Sequence, residues 1–310
     1  MRLRSIAAKY FLVALSVCAT HSAAAQQKSL TRTFVAGAEE RYQVTASIRV
    51  ETRGVSTEKI GEKTVATFYT HEAQGQIGWR ATRQIATVLP DSSAAIAESL
   101  DRFELSCDGD PGAKNFDATL QKSVHDACAD WRTDSPMHYE EEKFGLIRGL
   151  PALANQIAGP DSPLLPLWIR RAFRPSVVLP RTPIDFGAPT TRKVQPNSGG
   201  EGNLKGQEAI EWLTSADETP SAVLHVSQDL EWIDPPPKPG FGSVGGKPSA
   251  RQFFYADSLT TISLLDGSLL KASRSATRET KELLDPEPSL PDPPLFSSKL
   301  TITVAIQRLP

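Results

Sequence analysis

Apolar and polar residues alternate along several long stretches of this chain. Tyr42, Val44, Ala46, Ile48 and Val50 alternate with Arg41, Gln43, Thr45, Ser47 and Arg49. A period of two places the five apolar side chains on one face of a strand and the polar ones on the other. Thr64 to Thr70 is a β-branched and aromatic run, and Ile77, Trp79, Ala81 and Ile85 resume the alternation, which Arg83 breaks. Pro90-Asp91-Ser92-Ser93 is turn chemistry. Ala94, Ile96 and Leu100 then predict a returning hairpin partner. Residues 31–106 read as an antiparallel meander.

The period changes in the middle of the chain. Phe116, Leu120, Val124, Ala127, Cys128 and Trp131 recur at helical spacing, after Pro111-Gly112 and before Asp134-Ser135-Pro136. Ala152 to Ala158 predicts a second, shorter helix. Leu164 to Phe173 predicts a third, closed by Arg174-Pro175 because a residue preceding proline avoids the helical region. Of the 24 prolines, 21 lie in residues 151–310, clustered at 160–189, 235–239 and 286–294. Proline cannot donate to a ladder, so these clusters must be loops or edges. Between them lie strand patterns: Ala222, Leu224, Val226, Leu230 and Trp232, and then Leu300, Ile302, Val304 and Ile306. Leu264 to Leu269 is the strongest turn signal, its Asp266-Gly267 favouring the primed turn that matches strand twist.

Strands buried on both faces would read as continuous apolar runs, whereas these each have one wet face. The expected fold is α+β and β-rich: a large twisted antiparallel sheet of two meanders with a central helical segment packed on one face. The expected organisation is a segment 1–25 to be removed, then a single domain over 26–310. That domain comprises a meander at 31–106, a helical segment at 112–174 and a second meander at 205–308. This layout is similar in outline to the half-barrel carriers of bacterial envelopes, which hold lipid or lipoprotein acyl chains between a sheet and a helical lid. The resemblance rests on element order, and no motif carries it.

Residues 1–25 change the picture by placing the protein. Arg2, Arg4 and Lys9 form a basic start, Tyr10 to Val17 is almost wholly apolar, and Ala23-Ala24-Ala25 precedes Gln26. Charge, apolar run and small residues in that order read as a secretory signal peptide. The predicted mature protein is periplasmic or secreted. Leu15-Ser16-Val17-Cys18 resembles a lipoprotein lipobox, but Val17 departs from the small residue expected before the cysteine. Without the signal, 31 Lys and Arg face 36 Asp and Glu, a net charge of −5. That balance is not the basic field nucleic acid or anionic lipid selects. No later run is long enough for a membrane helix, and no repeated ten-residue pattern of an outer-membrane barrel is present. An integral membrane protein is therefore not expected after signal removal. Cys107 and Cys128 are the remaining cysteines, and an even pair in an exported chain predicts a disulfide.

Catalytic and metal signatures are weak throughout. Gly242-Ser243-Val244-Gly245 lacks the first glycine of a nucleophile elbow, where Phe241 stands. His71-Glu72 is not followed by a second His at helical spacing. His138 with Glu140, Glu141 and Glu142 reads as a solvated charge run near a helix end. Asp108-Gly109-Asp110 with Asn115 and Asp117 departs from a calcium loop at Gly112 and suits helix capping instead. Gly199-Gly200-Glu201-Gly202 lacks the spacing of a phosphate loop, and Asp91-Ser92-Ser93 lacks the glycine of an aspartic-protease triplet. No metal, cofactor or catalytic residue is predicted. Of the five tryptophans, four sit on apolar stripes, where a core role is expected.

The expected function is a non-catalytic protein that binds a hydrophobic ligand, such as a lipid, in the cell envelope. Leu165, Trp168 and Phe173 are the residues expected to line its cavity. The alternative is a structural or interaction protein with a solid core acting through proline-rich loops at 234–250 and 285–296. An exported hydrolase, with polar side chains converging in one cleft, comes third.

Overall fold

The structure, a computed structural model, describes residues 29–61, 63–106, 116–129, 136–149, 172–194, 203–214, 220–233, 251–283 and 295–310. Eleven strands make one antiparallel sheet. They are β1 (Glu39–Ile60), β2 (Lys63–Val88), β3 (Ala94–Ser106), β4 (Met137–Glu141), β5 (Ile147–Arg148) and β6 (Thr190–Val194), followed by β7 (Asn203–Thr214), β8 (Ser221–Ile233), β9 (Arg251–Ser263), β10 (Leu269–Leu283) and β11 (Leu295–Arg308). Among the described residues one helix, α1 (Ala118–Ala129), lies between β3 and β4. The order across the sheet is β5-β4-β3-β2-β1-β11-β10-β9-β8-β7-β6.

Pairing of β1 with β11, from Tyr42↔Arg308 to Arg53↔Ser297, joins the two meanders at the centre. The second meander thus begins at β6 rather than at 205. The sheet is not closed, and its edges are its two-residue β5 and five-residue β6. Short edges expose little unpaired backbone to other chains.

The predicted alternation sets the two faces. Tyr42, Val44, Ala46 and Ile48 are buried together with Ile77, Trp79, Ala81, Leu230, Phe254, Ala256, Ala272, Ala276, Ile302, Val304 and Ile306 in one apolar cluster on the inner face. Arg41, Thr45, Ser47 and Arg49 point to the exposed outer face. Apolar inside and polar outside is the reverse of a lipid-facing barrel wall. Trp79 takes the core role expected of it, Trp212, on no predicted stripe, is buried as well, and the side chains of Trp131, Trp168 and Trp232 lie outside the described residues.

A bulge changes the phase of β3. Gly78 pairs with Glu104 but Arg80 with Asp101, so an extra residue is accommodated at Arg102, whose φ is 49°. One inserted residue flips the alternation. Inward positions are Ala94, Ile96 and Glu98 before it and Phe103 and Leu105 after it.

Helix α1 begins as the capping reading predicts, with Asp117 accepting from the amides of Thr119 and Leu120 at 2.9 Å each. β3 pairs with β2 only from Gln76 onward, so Gln74 lies beyond that ladder. There Gln121 acts as a strand would: its amide nitrogen donates to the Gln74 carbonyl at 2.7 Å and its oxygen accepts from the Gln74 N–H at 3.1 Å. Cys128 lies in this helix, but its side chain and Cys107 are outside the described residues, as are the predicted helix at 152–158 and most of that at 164–173.

Two irregular segments bridge one end of the sheet. Residues 29–38 donate from Arg32 N to the Lys143 carbonyl (2.7 Å) and from Thr33 N to the Asp266 carbonyl (2.9 Å). They thus connect the β4–β5 turn to the β9–β10 turn. Residues 172–187, here the strap, connect the β4–β5 turn to β7, from Leu179 N to the Phe144 carbonyl (2.8 Å) and from Gly187 N to the Trp212 carbonyl (2.7 Å). Leu30, Val177, Leu179, Ile184, Trp212, Ala222 and Ile262 pack there as a second core. The β9–β10 connection spans residues 264–268 and differs from the expected primed turn. Gly267 has φ +67° while Asp266 does not have positive φ, so the two central positive angles of a type I′ turn are not both present.

Candidate functional site

The inner face holds two distinct chemistries. At the bridged end it is ionic. Arg83, at the position that broke the alternation of β2, points inward and is 1% exposed. It contacts Glu40 of β1 at 2.8 Å, Glu141 of β4, the Tyr139 hydroxyl at 2.9 Å and the carbonyl of Pro175 in the strap at 3.1 Å. Arg32 of the N-terminal segment joins Glu40 at 2.8 Å and Glu141 at 3.3 Å. Tyr139 donates to Glu98 at 2.6 Å, and Arg174 of the strap lies 3.4 Å from the same carboxylate. Three guanidinium groups and three carboxylates therefore balance in a dry site. Burial alone would lower the Arg83 pKa, but Glu141, Tyr139 and Glu40 outweigh it and raise it well above its ordinary value. Burial alone would raise that of Glu40, but Arg83 and Arg32 hold it below the usual carboxylate range.

This network corrects two expectations. Arg83 does not interrupt the strand; it keeps the inward phase and exchanges an apolar side chain for a buried charge. Glu140 to Glu142 are not a solvated run at a helix end, since β4 carries the first two and Glu141 is wholly buried. Every member has an opposite charge within reach, which is the condition for keeping ions in a dry interior.

The strap is fastened by a further buried cation. Arg274 of β10 donates to the carbonyls of Ala172 (2.8 Å), Arg174 (3.1 Å) and Ser176 (3.0 Å). Burial pushes its pKa down to about 10, which leaves it protonated at neutral pH. Beside it, Phe173 is stacked on Trp79.

Away from the ionic end the inner face is mostly apolar, with Arg278 of β10 on the same face between Leu300 and Phe254. Val50, Phe103, Leu105, Leu120 and Leu300 pack against the main cluster but are only partly buried. Toward β6 the face becomes polar again. Glu208 of β7 is nearly buried and accepts from Arg192 of β6 at 2.8 Å and from Gln228 of β8 at 2.5 Å.

Of the residues predicted to line a cavity, Phe173 is placed on the inner face as a packing residue, and Leu165 and Trp168 lie outside the described residues. Ser243, residues 108–110 and 199–202, and the loops at 234–250 and 285–294 also lie outside them. Among the described residues no three His, Cys, Asp or Glu side chains converge as a metal would require. His71 pairs with Asp117 at 3.0 Å and His225 with Asp257 at 2.7 Å. The ionic network and the Arg192–Glu208–Gln228 group were missed from sequence. Arg83 within an apolar alternation was the one available sign.

No family model matches the chain, and no curated protein matches it in sequence. Among solved structures, it is similar to the InvG secretin domain β-barrel of the Salmonella SPI-1 injectisome at 10% identity and a TM-score of 0.13, over 87% of this chain and 63% of that one. It is similar to Pseudomonas aeruginosa OpdQ at 7% identity and a TM-score of 0.19, over 87% of this chain and 98% of that one. For P. aeruginosa OccK7 (OpdD) the figures are 9%, 0.13, 87% and 99%. Likenesses at such TM-scores assign neither fold nor function.

Proposed function

We propose that this is an exported, non-catalytic protein of the cell envelope that holds a hydrophobic ligand against the inner face of its sheet. The observation that carries this reading is the apolar face itself. It runs from β2 to β9, and at the end away from the ions Val50, Phe103, Leu105, Leu120 and Leu300 remain only partly buried. Residues 1–25 act as the signal peptide that brings the protein there. β4 and β5 take residues 137–148 of the expected helical segment 112–174 into the sheet, so in this reading the cover is α1 and the start of the strap, which pack on the inner face through Leu120, Val124, Ala172 and Phe173. A Cys107–Cys128 disulfide would tie the residue after β3 to α1.

The test is a titration of the purified mature protein with the uncharged hydrophobe N-phenyl-1-naphthylamine. Saturable one-to-one binding, displaced by lipid extracted from the envelope, is expected. Fluorescence rising linearly without saturation would count against the proposal.

A second reading has its own observation. β1 and β2 continue as a two-stranded ribbon beyond Arg53, the last residue paired to β11 among the described residues, and Phe68 on that ribbon is 81% exposed with Ile60 at 60%. An interaction protein would use such a ribbon to meet a partner. Deleting residues 56–67 would then abolish partner capture while leaving hydrophobe binding intact.

A further inference from the structure

We propose that this protein pairs with a second copy of itself, the β1–β2 ribbon of each lying on the outer face of β8 and β9 in the other. This rests on the reading in which the ribbon meets a partner, and it names that partner and the surface that receives it.

The ribbon has a basic and apolar face. Pairing of β1 with β2 runs unbroken from Glu39↔Gln84 to Ile60↔Lys63, so the phase of the sheet continues into the ribbon. Phe68 therefore stands at the phase of Glu72 and Arg49, that of the outer face. The positions of this phase are 53, 55, 57 and 59, with their partners 70, 68, 66 and 64. They hold Arg53 and Lys59, the apolar Val55, Ala66 and Phe68, and three threonines, with no acidic residue. The Arg53 side chain is largely exposed, 2.6 Å from Glu51. A two-stranded ribbon is marginal in water by itself, and an exposed aromatic on it calls for a cover.

The receiving face is its complement. On the outer side of β8 and β9, Val223, His225, Ser227, Asp229 and Glu231 pair with Thr261, Leu259, Asp257, Tyr255 and Phe253. No lysine or arginine stands among these ten positions. Tyr255 and Leu259 are 42% and 44% exposed in the middle of a strand whose inward Phe254 and Ala256 are core. Asp229 lies directly beside Tyr255. Asp257 stands between Tyr255 and Leu259, its side chain 61% exposed, with His225 at 2.7 Å. Glu231, at the end of the ladder, is met by Lys205 at 2.9 Å and Arg251 at 4.0 Å. The two aspartates are thus the acids at its centre, beside the exposed apolar pair.

The two surfaces cannot meet within one chain. β9 begins at Arg251, which is level with Arg53 through Lys281 and Ser297, so the ribbon lies wholly beyond its end. From Arg53 to Lys59 the ribbon face is about 20 Å long, and the β8–β9 ladder is about 26 Å, at ~3.3 Å per residue. One therefore fits along the other. Each copy carries one ribbon and one receiving face, so a two-fold axis makes both contacts at once and closes the pair. Two contacts of this size reach the low end of specific interfaces, and the pair is expected to dissociate on dilution.

The test is sedimentation velocity of the full mature protein over a wide concentration range, with two charge-reversed variants. Arg53→Glu/Lys59→Glu reverses the ribbon, and Asp229→Lys/Asp257→Lys reverses the face. Wild type is expected to pass from monomer to dimer as concentration rises. Each variant alone should self-associate roughly tenfold more weakly, since like charges then meet. An equimolar mixture of the two variants should restore the dimer, because each ribbon then finds a face of opposite charge. That rescue also shows that both variants are folded. A wild type that stays monomeric, or a mixture no more dimeric than its components, would overturn the second copy as partner. If such a protein still captures another envelope protein, and loses it on deletion of residues 56–67, the ribbon reading stands without this inference. If it captures none, both fall.

Discussion

The rings of Trp79 and Phe173 lie 5.9 Å apart with planes 14° from parallel. Trp79 belongs to β2 and Phe173 to the strap, so this stack is where the strap meets the apolar face. Phe173→Ala is expected to destabilise the protein by about 2–3 kcal/mol, because it removes a half-buried aromatic together with its stacking contact on Trp79. Urea unfolding gives the value, and hydrogen exchange shows its location. The amides of Val177 and Leu179 should exchange faster in the variant while those of β1 keep their protection.

Arg83 touches β1, β4 and the strap at once. Arg83→Met leaves Glu40 and Glu141 buried with one cation fewer, and the expected loss is about 3–5 kcal/mol. If these charges were hydrated, the loss would fall below ~1 kcal/mol. Equilibrium urea unfolding separates the two.

Acid should release the same network. The Glu40 pKa lies below its ordinary value of 4.5 in the folded protein because Arg83 and Arg32 outweigh its burial. A depressed carboxylate contributes stability that is complete above its unfolded pKa and is lost as pH falls through the folded one. The urea midpoint is therefore expected to hold down to about pH 5 and to fall below about 4.5, with a shallower fall in Glu40→Gln. An equally steep fall in that variant would assign the acid sensitivity elsewhere.

The β9–β10 turn depends on one glycine. At Gly267, φ is +67° and an added Cβ would sit 2.4 Å from the Thr31 carbonyl oxygen. Gly267→Ala must therefore strain the turn and push away the segment that carries Arg32. The expected cost is about 1–3 kcal/mol, measured by thermal unfolding.

The sheet was readable in the sequence where each residue's environment followed from its neighbours along the strand. Tyr42 to Val50 and Leu300 to Ile306 alternate without interruption, and they became the central pair β1 and β11. The pairing of β1 with β11 was not readable, because its partners lie more than two hundred residues apart. Separations of 43 to 92 residues hid the ionic site. Arg83 looks like an error in a pattern until Glu40, Glu141 and Pro175 are brought to it. Arg192, Glu208 and Gln228 are ordinary polar residues of three separate strands until the register aligns them. The periodic reading of β3 ends at Leu100, just before the bulge, and nothing in the Arg102 side chain announces its positive φ. At the β9–β10 turn, Asp266-Gly267 marked the place correctly but not the turn type, which the crossing N-terminal segment helps to set through the Thr33 hydrogen bond to the Asp266 carbonyl.

The most direct measurement is native mass spectrometry of the mature protein, purified gently from its own envelope fraction and followed by organic extraction. The account predicts a bound hydrophobe at near one-to-one stoichiometry, released on extraction. A clean mass for the bare chain, unchanged by incubation with envelope lipid, would contradict it and move attention to the ribbon formed by β1 and β2.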